Sequence, residues 1–95
     1  MARYRILSWQ DIPSVIKASD DDGIELSRQL PDVFQQEIDA QAMRQGLAGS
    51  DDYLAQWAWS EPQERAGEPE AVLDELVAEL EAALTARRRA ERGLS

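Results

Sequence analysis

Carboxylates are the only plentiful side chains that could do chemistry in this sequence. The chain has 19 Asp and Glu residues against 10 Lys and Arg residues, and it has neither Cys nor His. Thiol nucleophiles, imidazole bases, His-based triads and the usual zinc ligand sets are therefore excluded. Among so many acids, some pair will match the spacing of a glycosidase by chance, so such a pair carries no information. Catalysis by this chain is not expected.

Two local groups could still suggest a metal or covalent site. Asp20–Gly23 resembles part of a calcium loop, but an EF-hand needs an acid where Ala18 stands and a closing Glu where Gln29 stands. This segment is better interpreted as a solvated hairpin turn. Lys17 is the only lysine, and its place on an alternating strand favours a surface charge pair over a Schiff base. We expect no metal and no cofactor.

Aromatic and polar side chains are the better candidates, as contacts for a protein partner. Trp, Tyr and Arg are common anchors of protein interfaces. The competing interpretation is structural: the tryptophans cap a small core, Asp11 completes a turn, and Arg28 forms an ion pair. Should Asp11 and Arg28 lie together, they would form a polar recognition spot beside Trp9. The candidates are Trp9, Gln10, Asp11, Arg28, Tyr53, Trp57 and Trp59.

The charge distribution bears on the class of partner. The net charge of −9 argues against bare nucleic acid, because phosphate binding depends on basic side chains. The one basic cluster lies at the end of the chain, where it is either a docking tail or a helix C-terminus that balances the helix dipole. The second interpretation is favoured. The cluster comprises Arg87, Arg88, Arg89 and Arg92.

Alternating residues predict strands in the first third of the chain. Tyr4 and Ile6 fall on one face and Trp9 on the other, and a β-branched run follows at 14–18. After the Asp-Gly turn, a third short run at 24–26 alternates again. Later, Trp57 and Trp59 alternate on another strand and point the same way.

Helical periodicity dominates the remainder. Pro31 opens a helix that Gly46 ends, and Ser50 caps a short second helix. Residues 61–67 are a connector or an edge-strand extension. An amphipathic helix is predicted over 69–90, followed by a frayed tail at 91–95. The sequence therefore predicts a single α+β domain over 1–95. We expect a small two-layer sandwich whose antiparallel sheet has 3–4 strands, with 2–3 helices on one face and a long C-terminal helix.

Four blocks of sequence resemble a bacterial family. They are WQDIPSV from Trp9 to Val15, RQLP from Arg28 to Pro31, FQQEID from Phe34 to Asp39, and Tyr53-Leu54 with Trp57 and Trp59. Their order and spacing are similar to the bacterial virulence factor domain family, which also occurs within larger proteins of the conserved virulence factor C type. The resemblance covers roughly residues 3–66, and the C-terminal helix looks like the family's variable acidic end.

The resemblance implies a non-catalytic protein-interaction or accessory module. The alternative is an accessory subunit of a corrinoid- or folate-dependent methyl-transfer system, with a methyl-transfer enzyme as partner. Lacking His, the chain itself could not supply the lower cobalt ligand. We expect a cytoplasmic monomer or homodimer that binds neither nucleic acid nor membrane, because no signal peptide is evident and no uncharged stretch approaches the roughly 20 residues needed to span a bilayer.

Overall fold

Five antiparallel strands and three helices form the part of the chain that the computed structural model describes, residues 1–91. The α+β class and the long C-terminal helix are confirmed. In chain order the elements are β1 (Ala2–Trp9), β2 (Ile12–Ser19), β3 (Glu25–Gln29), α1 (Asp32–Arg44), α2 (Asp51–Ala55), β4 (Trp57–Trp59), β5 (Gln63–Arg65) and α3 (Pro69–Glu91).

Strand β1 lies at the centre of the sheet. Strand β2 pairs with one side of it and β3 lies beyond β2, while β4 and β5 share the other side. Ser60 joins these two short strands, since its N–H donates to the Ile6 carbonyl at 2.8 Å and its Oγ accepts from the Ile6 N–H at 2.9 Å. Residues 61–67 thus contain an edge-strand extension, the second of the two predicted alternatives.

Trp9 does not follow the alternation predicted for β1. It is fully buried in the same core cluster as Tyr4, so its predicted placement on the opposite face is wrong. The pairing of β1 with β2 is also irregular just before Trp9. Leu7 pairs with Val15 and Ser8 with Pro13, which leaves Ser14 of β2 as the extra residue of a β-bulge.

Helix α1 ends in a Schellman motif. Gly46 adopts a left-handed φ of 71°, which glycine reaches without a Cβ clash. The Leu47 N–H then donates to the Ala42 carbonyl at 2.8 Å, and the Gly46 N–H donates to the Met43 carbonyl at 3.1 Å. This is the glycine C-cap with a trailing hydrophobic residue that the sequence predicts.

Helices α1 and α3 cover one face of the sheet. Helix α3 contacts β1, β2 and β3, whereas α1 contacts β2. Both helices bury an apolar stripe there, which is the usual source of helix stability in proteins. No helix within residues 1–91 is long and apolar enough to cross a membrane. The buried hydrophobic side chains that the two helices contribute are Phe34, Ile38, Ala42, Val72, Leu73, Leu76 and Leu84.

Two arginines of the C-terminal cluster pair with acids elsewhere in the fold. Arg87 lies 3.0 Å from the carboxylate of Asp11, and Arg88 lies 3.0 Å from that of Glu37. They attach the end of α3 to the β1–β2 turn and to α1. Glu91, predicted to begin the tail, is the last residue of α3, while Arg92 and the remainder of the predicted tail lie outside the described residues.

Candidate functional site

Three of the seven candidate residues form an aromatic cluster within the protein. Trp9 is fully buried, and its indole N–H donates to the Tyr53 carbonyl at 2.9 Å. The Tyr53 ring lies 5.5 Å from the Trp9 ring and meets the Trp57 ring edge-on at 6.2 Å. Tyr53 and Trp57 are half-buried against the core. Trp9 has no surface with which to touch a partner, so its place in this cluster is a packing role.

Asp11 and Arg28 do not come together. Asp11 pairs with Arg87 of α3, and this hydrogen-bonded carboxylate is the main reason that the pKa of the Arg87 guanidinium is raised. Arg28 pairs instead with Asp74, near the other end of α3. The two α3 residues are separated by about 20 Å along the helix, at about 1.5 Å per residue. The polar recognition spot that the two residues would have formed together beside Trp9 is therefore not present.

Gln10 connects the β1–β2 turn to the two helices that follow. Its side-chain amide exchanges hydrogen bonds with that of Gln45, at 2.8 and 3.0 Å. Its backbone N–H donates to the Gln56 carbonyl at 3.1 Å, and its φ is a left-handed 55°. A non-glycine residue in that region is strained, and the surrounding bonds hold it there. These contacts give Gln10 a structural role.

Trp59 stands apart from the other tryptophans. Its side chain is 37% exposed, and its ring contacts two cations, the Arg5 guanidinium at 5.7 Å and the Lys17 ammonium at 5.1 Å. Both distances suit cation–π attraction. Trp57 and Trp59 lie on one strand, as predicted, but they do not share one environment: Trp57 packs against the core and Trp59 meets solvent.

The residues around Trp59 lie on the sheet face that α1 and α3 leave uncovered. Arg5 pairs directly with Lys17 across β1 and β2, and Leu7 pairs with both Val15 and Trp59. Residues directly opposite in an antiparallel sheet share a face, and the contacts of the Trp59 ring with Arg5 and Lys17 place the two sets of paired residues on the same one. We call this set the Trp59 face: Arg5, Leu7, Val15, Lys17 and Trp59.

Sequence reasoning proposed Trp59 as a contact residue but missed the other four members of the Trp59 face. The alternation of β1 is a usable signal for two of them, because Arg5 and Leu7 fall together opposite Tyr4. Nothing local shows that Lys17 lies opposite Arg5, since that pairing depends on the register between β1 and β2.

The largely apolar cleft at the other side of the molecule is small. It lies between the β1–β2 turn and α3, encloses about 160 Å³, and has the Asp11–Arg87 ion pair in its lining. Pockets for drug-sized ligands measure roughly 300–1,000 Å³. Across residues 1–91, no group of three or more acids is arranged to hold a metal ion. The cleft is therefore a weaker candidate than the Trp59 face. Its apolar lining residues are Ile12, Pro13, Phe34, Leu80, Ala83 and Leu84.

Together these features define an α+β domain with helices on one sheet face and an exposed basic and aromatic patch on the other. The chain belongs to the virulence factor family, because a family model described as "Virulence factor" matches residues 7–91. The match includes α3, so the family-like region extends well beyond the expected 3–66. The description associates the chain with virulence in general and names no reaction. No curated protein and no solved structure matches the chain.

Proposed function

We propose that this domain is a non-catalytic interaction module that binds a protein partner through the Trp59 face. The observation that carries the proposal is the exposed Trp59 ring, held on an uncovered sheet face between Arg5 and Lys17. Tryptophan and arginine are enriched among the residues that dominate binding energy at protein interfaces. Leu7 and Val15 extend the apolar part of the same face.

The non-catalytic part of the proposal rests on residue types and on the position of the acids. The sequence supplies no Cys or His, and several acids near the other candidate residues already pair with arginines. Binding therefore accounts for the exposed side chains better than catalysis does. In this proposal Asp11 and Arg28 attach α3 to the sheet, while Trp59 meets the partner.

Comparative affinity capture tests the proposal. The tagged full-length chain, Trp59→Ala and Met43→Ala would each be incubated with lysate of the native organism, and captured proteins quantified by mass spectrometry. Met43 is a matched control, because it is a large apolar side chain that is 72% exposed on α1, away from the sheet. We expect a stoichiometric partner that Trp59→Ala loses and Met43→Ala retains.

Two results would contradict the proposal: capture of the same partner by all three proteins, or no stoichiometric partner with any of them.

The same experiment addresses the alternative implied by the family resemblance, an accessory role in methyl transfer. Capture of a corrinoid- or folate-dependent enzyme would support it. A direct check is to titrate folates and cobalamin against tryptophan fluorescence, since Trp59 is exposed to a ligand in solution.

A further inference from the structure

Two like charges face each other on the Trp59 face. Arg5 lies directly opposite Lys17 on the neighbouring strand, and both side chains are exposed. Like charges in this position repel and destabilise a sheet. In a protein of net charge −9, acids to balance them are abundant, yet within residues 1–91 neither cation forms an ion pair.

The surroundings of the two cations leave their charge unbalanced within the described residues. Lys17 lies opposite Ser27 on its other side, and the Arg5 guanidinium donates only to the Ser60 carbonyl, at 3.1 Å. Neither cation forms an ion pair there, whereas Arg3, one row further along the sheet, pairs with Glu64 at 3.7 Å. Among the described cations of β1, β2 and β3, the two without an ion pair are thus the two that contact the Trp59 ring.

An apolar row lies next to this cationic row. Leu7 is two residues from Arg5 on β1, and Leu7, Val15 and Trp59 are cross-strand neighbours. Two residues of a strand span about 7 Å. A ligand that satisfies both rows must therefore carry a negative group and an apolar group at about that separation. Residues i and i+2 of an extended peptide provide this spacing.

We infer that the partner segment on the Trp59 face is an acidic peptide segment. It places a carboxylate over Arg5 and Lys17 and an apolar side chain two positions away over Leu7, Val15 and Trp59. This inference rests on the proposed function and names the chemistry of the partner. A nucleic acid fits less well, because its continuous line of phosphates would meet the many acids outside this small patch.

Peptide selection on the purified full-length chain tests the inference without knowledge of the natural partner. Short random peptides would be displayed, selected on the wild type and counter-selected on Trp59→Ala. The selected peptides would then be synthesised and their dissociation constants measured by fluorescence anisotropy at low and at physiological salt. A single-stranded oligothymidylate serves as the nucleic-acid probe.

The decisive variant is the double change Arg5→Gln with Lys17→Gln. Its matched control is Arg44→Gln with Arg89→Gln, which removes two exposed cations away from the sheet and leaves the same net charge. We expect the selected peptides to place Asp or Glu two positions from an apolar residue. Their binding should weaken by about tenfold or more in the first variant, and more at low salt than at high salt. The control should bind like the wild type.

The other outcomes separate the inference from the proposed function. One outcome would overturn the inference alone: selected peptides that lack acids, bind Trp59→Ala much more weakly, and bind the Arg5→Gln, Lys17→Gln variant as tightly as the wild type. No enriched peptide, or binding that Trp59→Ala does not affect, would overturn both. The oligothymidylate could instead bind more tightly than every peptide and lose affinity in the same double variant. The inferred ligand of the Trp59 face would then be a nucleic acid and not an acidic peptide.

Discussion

Trp9 and Trp59 lie on neighbouring strands, yet the surrounding residues give them different roles. Trp9 is fully buried and makes a hydrogen bond to the Tyr53 carbonyl, whereas Trp59 keeps 37% of its surface exposed. A buried tryptophan contributes mainly to folding, and an exposed one is available for binding. The same substitution at the two positions should therefore change two different measurements.

Replacing each tryptophan by alanine tests this division. Trp9→Ala should lower the free energy of unfolding by about 3–5 kcal/mol, because it leaves a large cavity in the core. Trp59→Ala should lower it by less, about 1–2 kcal/mol, because the ring is partly exposed and loses two cation–π contacts. Urea unfolding followed by far-UV circular dichroism measures both. Equal losses of stability would show that Trp59 is also a core residue and would remove the basis for the Trp59 face.

At the level of single residues, the sequence showed which side chains could bind a partner, but not which of them are buried or already paired. The seven candidates include Trp59, but also Trp9, which the alternation of β1 places with Arg5 although it is fully buried. Arg28 forms an ion pair, as its structural interpretation predicted, whereas Asp11, interpreted as completing a turn, pairs with Arg87 of α3 instead. Their partners are distant in sequence, so spacing could not predict them.

Among the secondary-structure elements, α1 and α3 are joined by a buried carboxylate. Glu37 is 5% exposed, accepts a hydrogen bond from the Gln41 side chain at 2.9 Å, and pairs with Arg88 at 3.0 Å. The Gln41 hydrogen bond is the largest influence on the pKa of Glu37. Together with Arg88 it lowers that pKa from its ordinary value of 4.5, although burial acts in the opposite direction.

This lowered pKa predicts an acid-sensitive connection between the two helices. A group whose folded pKa is depressed stabilises the fold above its ordinary pKa, and that contribution is lost as the pH falls through the folded value. Glu37→Gln should therefore lower the free energy of unfolding by about 1–3 kcal/mol at neutral pH, where Arg88 loses a charged partner. The difference from the wild type should shrink below pH 4.5.

Urea unfolding of both proteins across this pH range provides the measurement. Asp39→Asn is the control, because it removes an exposed acid from the same helix. Its difference from the wild type at neutral pH should be small. If the free energy of unfolding of Glu37→Gln differs from that of the wild type by the same amount at neutral and at acid pH, the charge of Glu37 does not connect the helices.

Helical periodicity predicted the helices well, because the stripe of apolar residues along each long helix repeats several times. Helix α3 runs from Pro69 to Glu91, one residue longer than the predicted 69–90. The sequence did not decide whether residues 61–67 form a connector or an edge strand, because the three residues of β5 are too few to show alternation. Its pairing depends on the neighbouring β1, and on Ser60, which bonds to Ile6.

For the whole molecule, the central question is whether α3 belongs to the folding unit. The resemblance at 3–66 leaves α3 outside the family-like core, yet α3 covers three strands and the family match extends to residue 91. It also contributes buried side chains whose removal from water is worth about 1.5–3 kcal/mol each. Their sum is comparable with the roughly 5–15 kcal/mol that stabilises a typical domain. These side chains are Val72, Leu73, Leu76 and Leu84.

A chain truncated after residue 66 should therefore not fold. We expect random-coil circular dichroism and poorly dispersed amide resonances, whereas a chain ending at residue 91 should match the full-length protein. Adding a synthetic peptide of residues 67–91 to the short fragment should restore native-like dispersion, because the missing interactions are those between α3 and the sheet. A folded 1–66 fragment would instead make α3 an appendage. The sheet surface under α3 would then be a second face that the folded unit leaves uncovered. A partner could bind to either face, so the uncovered position of the Trp59 face would no longer single it out as the binding surface.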